Sequence, residues 1–307
     1  MPIRRILSIM VFFLNLKTTH ATSFQAHQSF ESCQKMKSYR QCSTMILYYL
    51  MALVAQTSFC FGHFSTIPPQ SLLYSHIKDN PYLDQHMQAK IEPYLLPHNH
   101  PYKAAIDLIF SASRVSSTKE TLVQAGFEII AHMEGRSYVI VARHPAVPGY
   151  VFKIYPDSET RVRTDKPHYV LLLERCIGAA HIRHTIAKKQ IRHFTVPDKW
   201  LYVLPHYPLS TEANSQPVIL IATDMELTDP ATSDRAWLNV GREELRELYA
   251  ILKEGYGSVR VGGNIPYTKN GTFAFTDTEH MKRDLDLKIV NKYISKEMQP
   301  YWNKLIK

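Results

Sequence analysis

The chain has 307 residues, 45% apolar and 21% charged, which is enough to bury a core in one large domain or a two-lobed one. Its formal charge of +9 is uneven. Residues 1–62 hold Arg4, Arg5, Lys17, Lys35, Lys37 and Arg40 against Glu31 alone, a net of +5, leaving +4 for the rest. So weak an excess speaks against nucleic-acid binding, which uses a clustered positive face. The densest basic stretch, from His181 and Arg183 through Lys188, Lys189 and Arg192, reads as a solvated helix face. Of the cysteines, Cys33, Cys42 and Cys60 lie near the N-terminus and only Cys176 falls later, so the folded part has neither a disulfide framework nor zinc spacing.

Residues 1–62 read as a targeting region. Arg4-Arg5 precede an apolar run over 6–16, and Lys37 and Arg40 precede a second over 45–55. Each has the basic flank, short apolar stretch and less apolar tail of an export signal. Both runs fall short of the roughly 20 apolar residues of a membrane span. The second lies in a charge-free stretch, so an uncleaved anchor through residues 43–62 is the alternative to cleavage, with Lys37 and Arg40 on the cytoplasmic side. Two signals in tandem suggest that translation starts at Met36 rather than Met1. The chain is therefore expected to be exported: secreted, periplasmic or membrane-anchored.

Residues 63–125 are expected to form a helical extension. Asn80-Pro81 is a helix start, and apolar residues recur at helical spacing over 82–94, 104–112 and 118–125, the last run ending at Gly126. His98 and His100 alternate as metal ligands can, but a turn around Pro97 and Pro101 is the simpler reading. The period then changes to two. Strands are expected over 127–131, 137–143 and 150–155, a helix over 168–193, and two further strands over 199–204 and 218–222.

Three strands in a meander, then a helix, then two strands, with a lysine in Val151-Phe152-Lys153-Ile154, resemble the small lobe of the protein-kinase-like fold. In that family the strand lysine holds the α- and β-phosphates of ATP and pairs with a helix glutamate, for which the spacing offers Glu174. A helix expected over 242–254 is followed by Gly255 to Asn264, then a hairpin turning at Lys269-Asn270-Gly271 and ending in Asp277-Thr278-Glu279. This is similar to the family's order of catalytic loop, metal-binding Asn and metal-binding Asp, in an atypical bacterial form. The resemblance covers residues 126–285. It implies an α+β, two-lobed fold: a five-stranded antiparallel lobe over 126–222 with one main helix, and a reduced second lobe over 223–307. It also implies ATP at Lys153 and Glu174, and Mg²⁺ on Asn264 and Asp277, because a hard cation takes oxygen ligands and shares the phosphates.

The departures matter as much. Where the family carries its catalytic aspartate, five residues before the Asn, the chain has Val259, or Ser258 after a one-residue slip. Only Gly135 lies between the first two strands, where the family uses several glycines against phosphate. The expectation is a pseudokinase that holds a nucleotide or a protein partner without efficient phosphoryl transfer. The alternatives are an active small kinase with an unfamiliar base, and an interaction module with no nucleotide site.

Overall fold

The computed structural model describes residues 83–132, 137–161, 166–205, 212, 214–279 and 284–307. All of them belong to the unit Pro69–Lys307. The targeting region, the choice between Met1 and Met36, and Gly135 lie outside the described residues. Among the described residues no helix is long and apolar enough to cross a membrane.

The chain enters through α1 (Gln85–Ile91), a 3₁₀ turn (Glu92–Tyr94), α2 (Lys103–Ser111) and α3 (Lys119–Gln124). Asp84 caps α1, and Thr118 and Thr121 cap α3 reciprocally, each hydroxyl accepting the other's backbone N–H. Residues 97–103 form the turn expected there, with the His100 Nδ1 accepting the Tyr102 N–H at 3.3 Å. Three strands follow, β1 (Glu128–His132), β2 (Ile140–Arg143) and β3 (Tyr150–Ile154). After the long helix α4 (His168–Lys189) come β4 (Phe194–Thr195), β5 (Lys199–Val203) and β6 (Val218–Thr223). Five strands make an antiparallel sheet in the order β1-β2-β3-β6-β5.

The period of two decides what each sheet face carries. Phe152, Ile154, Tyr202, Ile219 and Ile221 pack with Ile106, Phe110, Val115 and Leu122 of the N-terminal helices. The 83–125 region is thus not a free extension: it supplies one wall of the sheet's core. Leu201, Leu220 and Ala222, on the opposite face, pack with Leu171, Leu172 and Cys176 of α4 and with Ile91. A buried ion pair closes one end, where Arg114 donates to both oxygens of Asp157 at 2.7 and 3.1 Å and to the Gln216 carbonyl at 2.6 Å.

Residues after β6 build a second core. Helices α5 (Pro230–Leu238) and α6 (Arg242–Leu252) pack with the one-turn helix α7 (Val261–Asn264), strand β7 (Phe273–Ala274), a 3₁₀ segment (Leu287–Lys292) and α8 (Gln299–Leu305). Trp237, Trp302 and Phe275 are its largest fully buried side chains. Ala179 and Ile182, in the second half of α4, belong to this core as well, so one helix serves both. Strand β7 pairs in parallel with β4, a contact that joins residues 194–195 to 273–274.

Candidate functional site

Lys153 and Lys199 sit on the same face of the sheet, the face toward α4. Their strands flank β6, where Lys153 pairs with Leu220 and Lys199 with Ala222. Both side chains reach the segment 276–279. Lys153 Nζ donates to the Thr276 carbonyl at 3.0 Å, and Lys199 Nζ donates to the same carbonyl at 3.0 Å and to Thr278 Oγ1 at 2.7 Å. Thr278 Oγ1 in turn donates to the Arg175 carbonyl at 2.6 Å, which ties this segment to α4.

The helix approaches very closely here. A β-carbon on Gly178 would stand 2.1 Å from the Thr278 carbonyl oxygen, so only glycine lets α4 lie against the segment. The turn before α7 needs glycine for a different reason: Gly257 has φ +85°, and Phe275 packs against the position its side chain would take.

Arg175 is the centre of the site. It is 2% exposed, and its guanidinium donates to Glu279 Oε2 at 2.7 Å, to Asp277 Oδ1 at 3.4 Å and to the Tyr155 hydroxyl at 3.4 Å. Burial works against its charge, but Asp277, Tyr155 and Glu279 together hold it more firmly protonated than a free arginine. Lys153 is pushed down to about 8, first by burial and then by Arg175, with Asp277 and Glu279 opposing. Burial and the adjacent Lys153 ammonium push Lys199 down as well. Cys176, one residue beyond Arg175, is raised to about 12 by burial and is an inert core thiol.

The expected partner of Lys153 is corrected. Glu174 turns to Lys166, 2.5 Å away, and the carboxylates near Lys153 are Asp277 and Glu279. Helical geometry explains the change. Leu171, Leu172, Arg175, Cys176 and Ala179 form the buried stripe of α4, and Glu174 falls beside it. An arginine inside an apolar stripe was the legible signal for Arg175. For Lys199 the signal was strand parity, which groups it with Leu201 and opposes Trp200 and Tyr202.

Asn264 and Asp277 do come together, though through the backbone. The Asn264 carbonyl accepts from the Thr276 N–H at 3.1 Å and from the Asp277 N–H at 3.5 Å. Asn264 ends a turn of helix. Its side-chain amide donates to Ser258 Oγ at 2.8 Å, so of the two residues expected at the aspartate position, Ser258 is the one that touches the site. The donor set suits Mg²⁺ poorly. A dication on Asp277 would share that carboxylate with a fixed guanidinium, and like charges at such a distance repel.

Two other groupings lie apart from this cluster. A cavity of about 350 Å³ is lined by Lys119, Glu120, His132, Glu159 and Arg161 among others, charges of both signs. His193, Glu243 and Glu247 bring ligand atoms within 4.8 Å of one another. There Glu247 already accepts the backbone N–H groups of Arg192 and His193 and so caps the end of the α4–β4 turn. Two further basic residues of α4 have partners: Arg183 pairs with Asp198 and Lys189 with Glu254.

The chain matches no protein-family model and no curated protein.

Proposed function

We propose that the chain is an exported, kinase-like pseudokinase with two lobes, which holds a nucleotide or a protein partner at the Lys153–Asp277 cluster without efficient phosphoryl transfer. The observation that carries the reading is the meeting of Lys153, from the third strand of a meander, with the segment ending in Asp277. The order of elements supports it: meander, long helix, the two further strands of the same sheet, helices α5 and α6, then the one-turn helix that ends at Asn264 beside Asp277. Two cores with α4 running between them suit a two-lobed body. Loss of the transfer step follows from Ser258. A hydroxyl bonded to the Asn264 amide stands where a carboxylate base would orient a substrate hydroxyl, and such a base contributes about 10²–10⁴-fold.

The test is thermal unfolding of the full chain titrated with ATP in the presence of Mg²⁺. Saturation at about 100-fold over Kd corresponds to roughly 2.7 kcal/mol of stabilisation. A shift that disappears in Lys153→Ala supports the nucleotide reading. One observation favours a second reading, an interaction module with no nucleotide site: both lysine ammoniums already have acceptors within the fold. The absence of any shift at millimolar nucleotide supports that module instead.

A further inference from the structure

His193 leaves the turn after α4 among three carboxylates of α6. Gln190, with a left-handed backbone (φ +54°), closes α4 and reverses the chain there. Glu243 and Glu247 stand one helical turn apart and share a face of α6. One ring nitrogen of His193 and one carboxylate oxygen from each of them lie within 4.8 Å of one another. Backbone N–H groups of Arg192 and His193 fix the Glu247 carboxylate, at 3.1 and 2.9 Å. Glu244 is anchored as well: one oxygen accepts the Gly241 N–H at 3.1 Å and the other lies 3.9 Å from His193 Nε2.

Two features of this grouping call for a cation. A neutral imidazole has only one N–H. Nδ1 lies 3.1 Å from Glu247 Oε2 while Nε2 faces Glu244, so whichever nitrogen holds the proton, the other turns a lone pair toward a carboxylate. The local charge is also unbalanced. Among the described residues no lysine or arginine forms an ion pair with Glu243, Glu244 or Glu247, although the chain as a whole carries +9.

The geometry points to a divalent metal site of the Zn²⁺ class on His193 Nδ1, Glu243 and Glu247, which clamps the α4–β4 turn to α6. It is independent of the nucleotide reading. A tetrahedral Zn²⁺ with bonds of about 2.0–2.2 Å spaces its ligand atoms about 3.3 Å apart, close to the 3.1 Å between Nδ1 and Glu247 Oε2. Glu243 is exposed and free to close on the ion, and a fourth position stays open to water. The surroundings suit a metal site: N–H groups hold the Glu247 carboxylate, and Nε2–H is left to face Glu244, which orients the ring. An imidazole among the ligands favours a first-row transition ion over Mg²⁺ or Ca²⁺, which prefer oxygen alone.

The test is calorimetric titration of the metal-free full chain with zinc chloride at neutral pH. Its thiols are alkylated first, so that Cys33, Cys42 and Cys60 do not compete. The expected result is one ion bound per chain in the micromolar range, undisturbed by millimolar Mg²⁺. Glu243→Gln, at an exposed position, and His193→Gln should each weaken binding about tenfold or more. Glu254→Gln, at an exposed acid paired with Lys189, should leave it unchanged. Circular dichroism of the metal-free variants separates loss of a ligand from loss of the fold. Binding that survives both ligand substitutions places the ion elsewhere and overturns the site. Loss with His193→Gln but not with Glu243→Gln overturns the three-ligand set. No binding at 100 µM zinc overturns the inference outright, the cluster then holding a proton alone.

Discussion

Arg175 Nη2 and Glu279 Oε2 lie 2.7 Å apart with side-chain exposures of 2% and 3%, a fully buried ion pair between the long helix and the segment that follows β7. A pair so placed contributes little net stability over apolar residues of similar size, because both charges gave up water. Removing one member is another matter. Arg175→Met leaves Glu279 buried beside Asp277 and should cost about 3–5 kcal/mol. The double variant Arg175→Met/Glu279→Leu should recover most of that loss. Urea unfolding of the three proteins checks it, and a double variant as unstable as the single one would show that the pair is not the origin of the cost.

Gly178→Ala sets two effects against each other. Alanine favours the helix by about 1 kcal/mol. Its methyl group would stand 2.1 Å from the Thr278 carbonyl, against backbone that cannot turn aside. Overpacking of this kind costs about 1–3 kcal/mol, and the clash here is at the severe end. The expected outcome is a lower Tm in calorimetry, together with loss of the Lys199–Thr278 contact. A raised Tm would mean that α4 stands further from the segment.

Stability should depend on pH through the two buried lysines. A lysine whose folded pKa lies below its unfolded one binds fewer protons when folded, so stability rises with pH between the two values. For Lys153 that window runs from about 8 to the ordinary 10.5, and Lys199 is shifted in the same direction. The groups facing Lys199 are Lys153, Asp277, Cys176 and Arg175. Lys199→Met should remove its share of the rise, while burial and Arg175 still hold Lys153 down. Melting curves of both proteins from pH 7 to 10 decide this: the wild type should gain stability relative to the variant as pH increases.

Ser258→Ala leaves the Asn264 amide without its hydroxyl acceptor at 2.8 Å. Asn264 is half-buried, and a hydrogen bond of this kind contributes about 0.5–1.5 kcal/mol. Chemical denaturation should show that loss, while radiolabelled ATP should transfer no phosphate to the protein in either form. Transfer by the wild type that vanishes in Ser258→Ala would make the hydroxyl part of an active catalytic centre.

The two helix starts before α3 and α5 show how far local signals reach. Helical spacing over 118–125 marked α3, and Gly126, which ends it, has φ +94°. At Asp229-Pro230 a cap followed by proline in the first turn opens α5, but the short, polar run over 230–238 has too weak a periodicity to predict a helix. Strand β4 has only two residues and exists through its pairing with β7, almost 80 positions later. No local pattern carries such an element.

Periodicity by itself determined the meander, the long helix, the two later strands and the face on which Lys153 lies, because a period of two or of 3.6 follows from backbone geometry alone. The turn at Lys269-Asn270-Gly271 marked the chain reversal that brings the backbones of Asn264 and Asp277 together. Only the tertiary structure decided which charges meet. Glu174 and Arg175 are adjacent in sequence but 100° apart around the helix axis, about what one residue of an α-helix turns. The rotation of α4 against the sheet, set by its leucines and by the close approach at Gly178, buries the arginine and sends the glutamate to Lys166. Ion pairing depends on distance across packed elements, and that distance is fixed by the whole core.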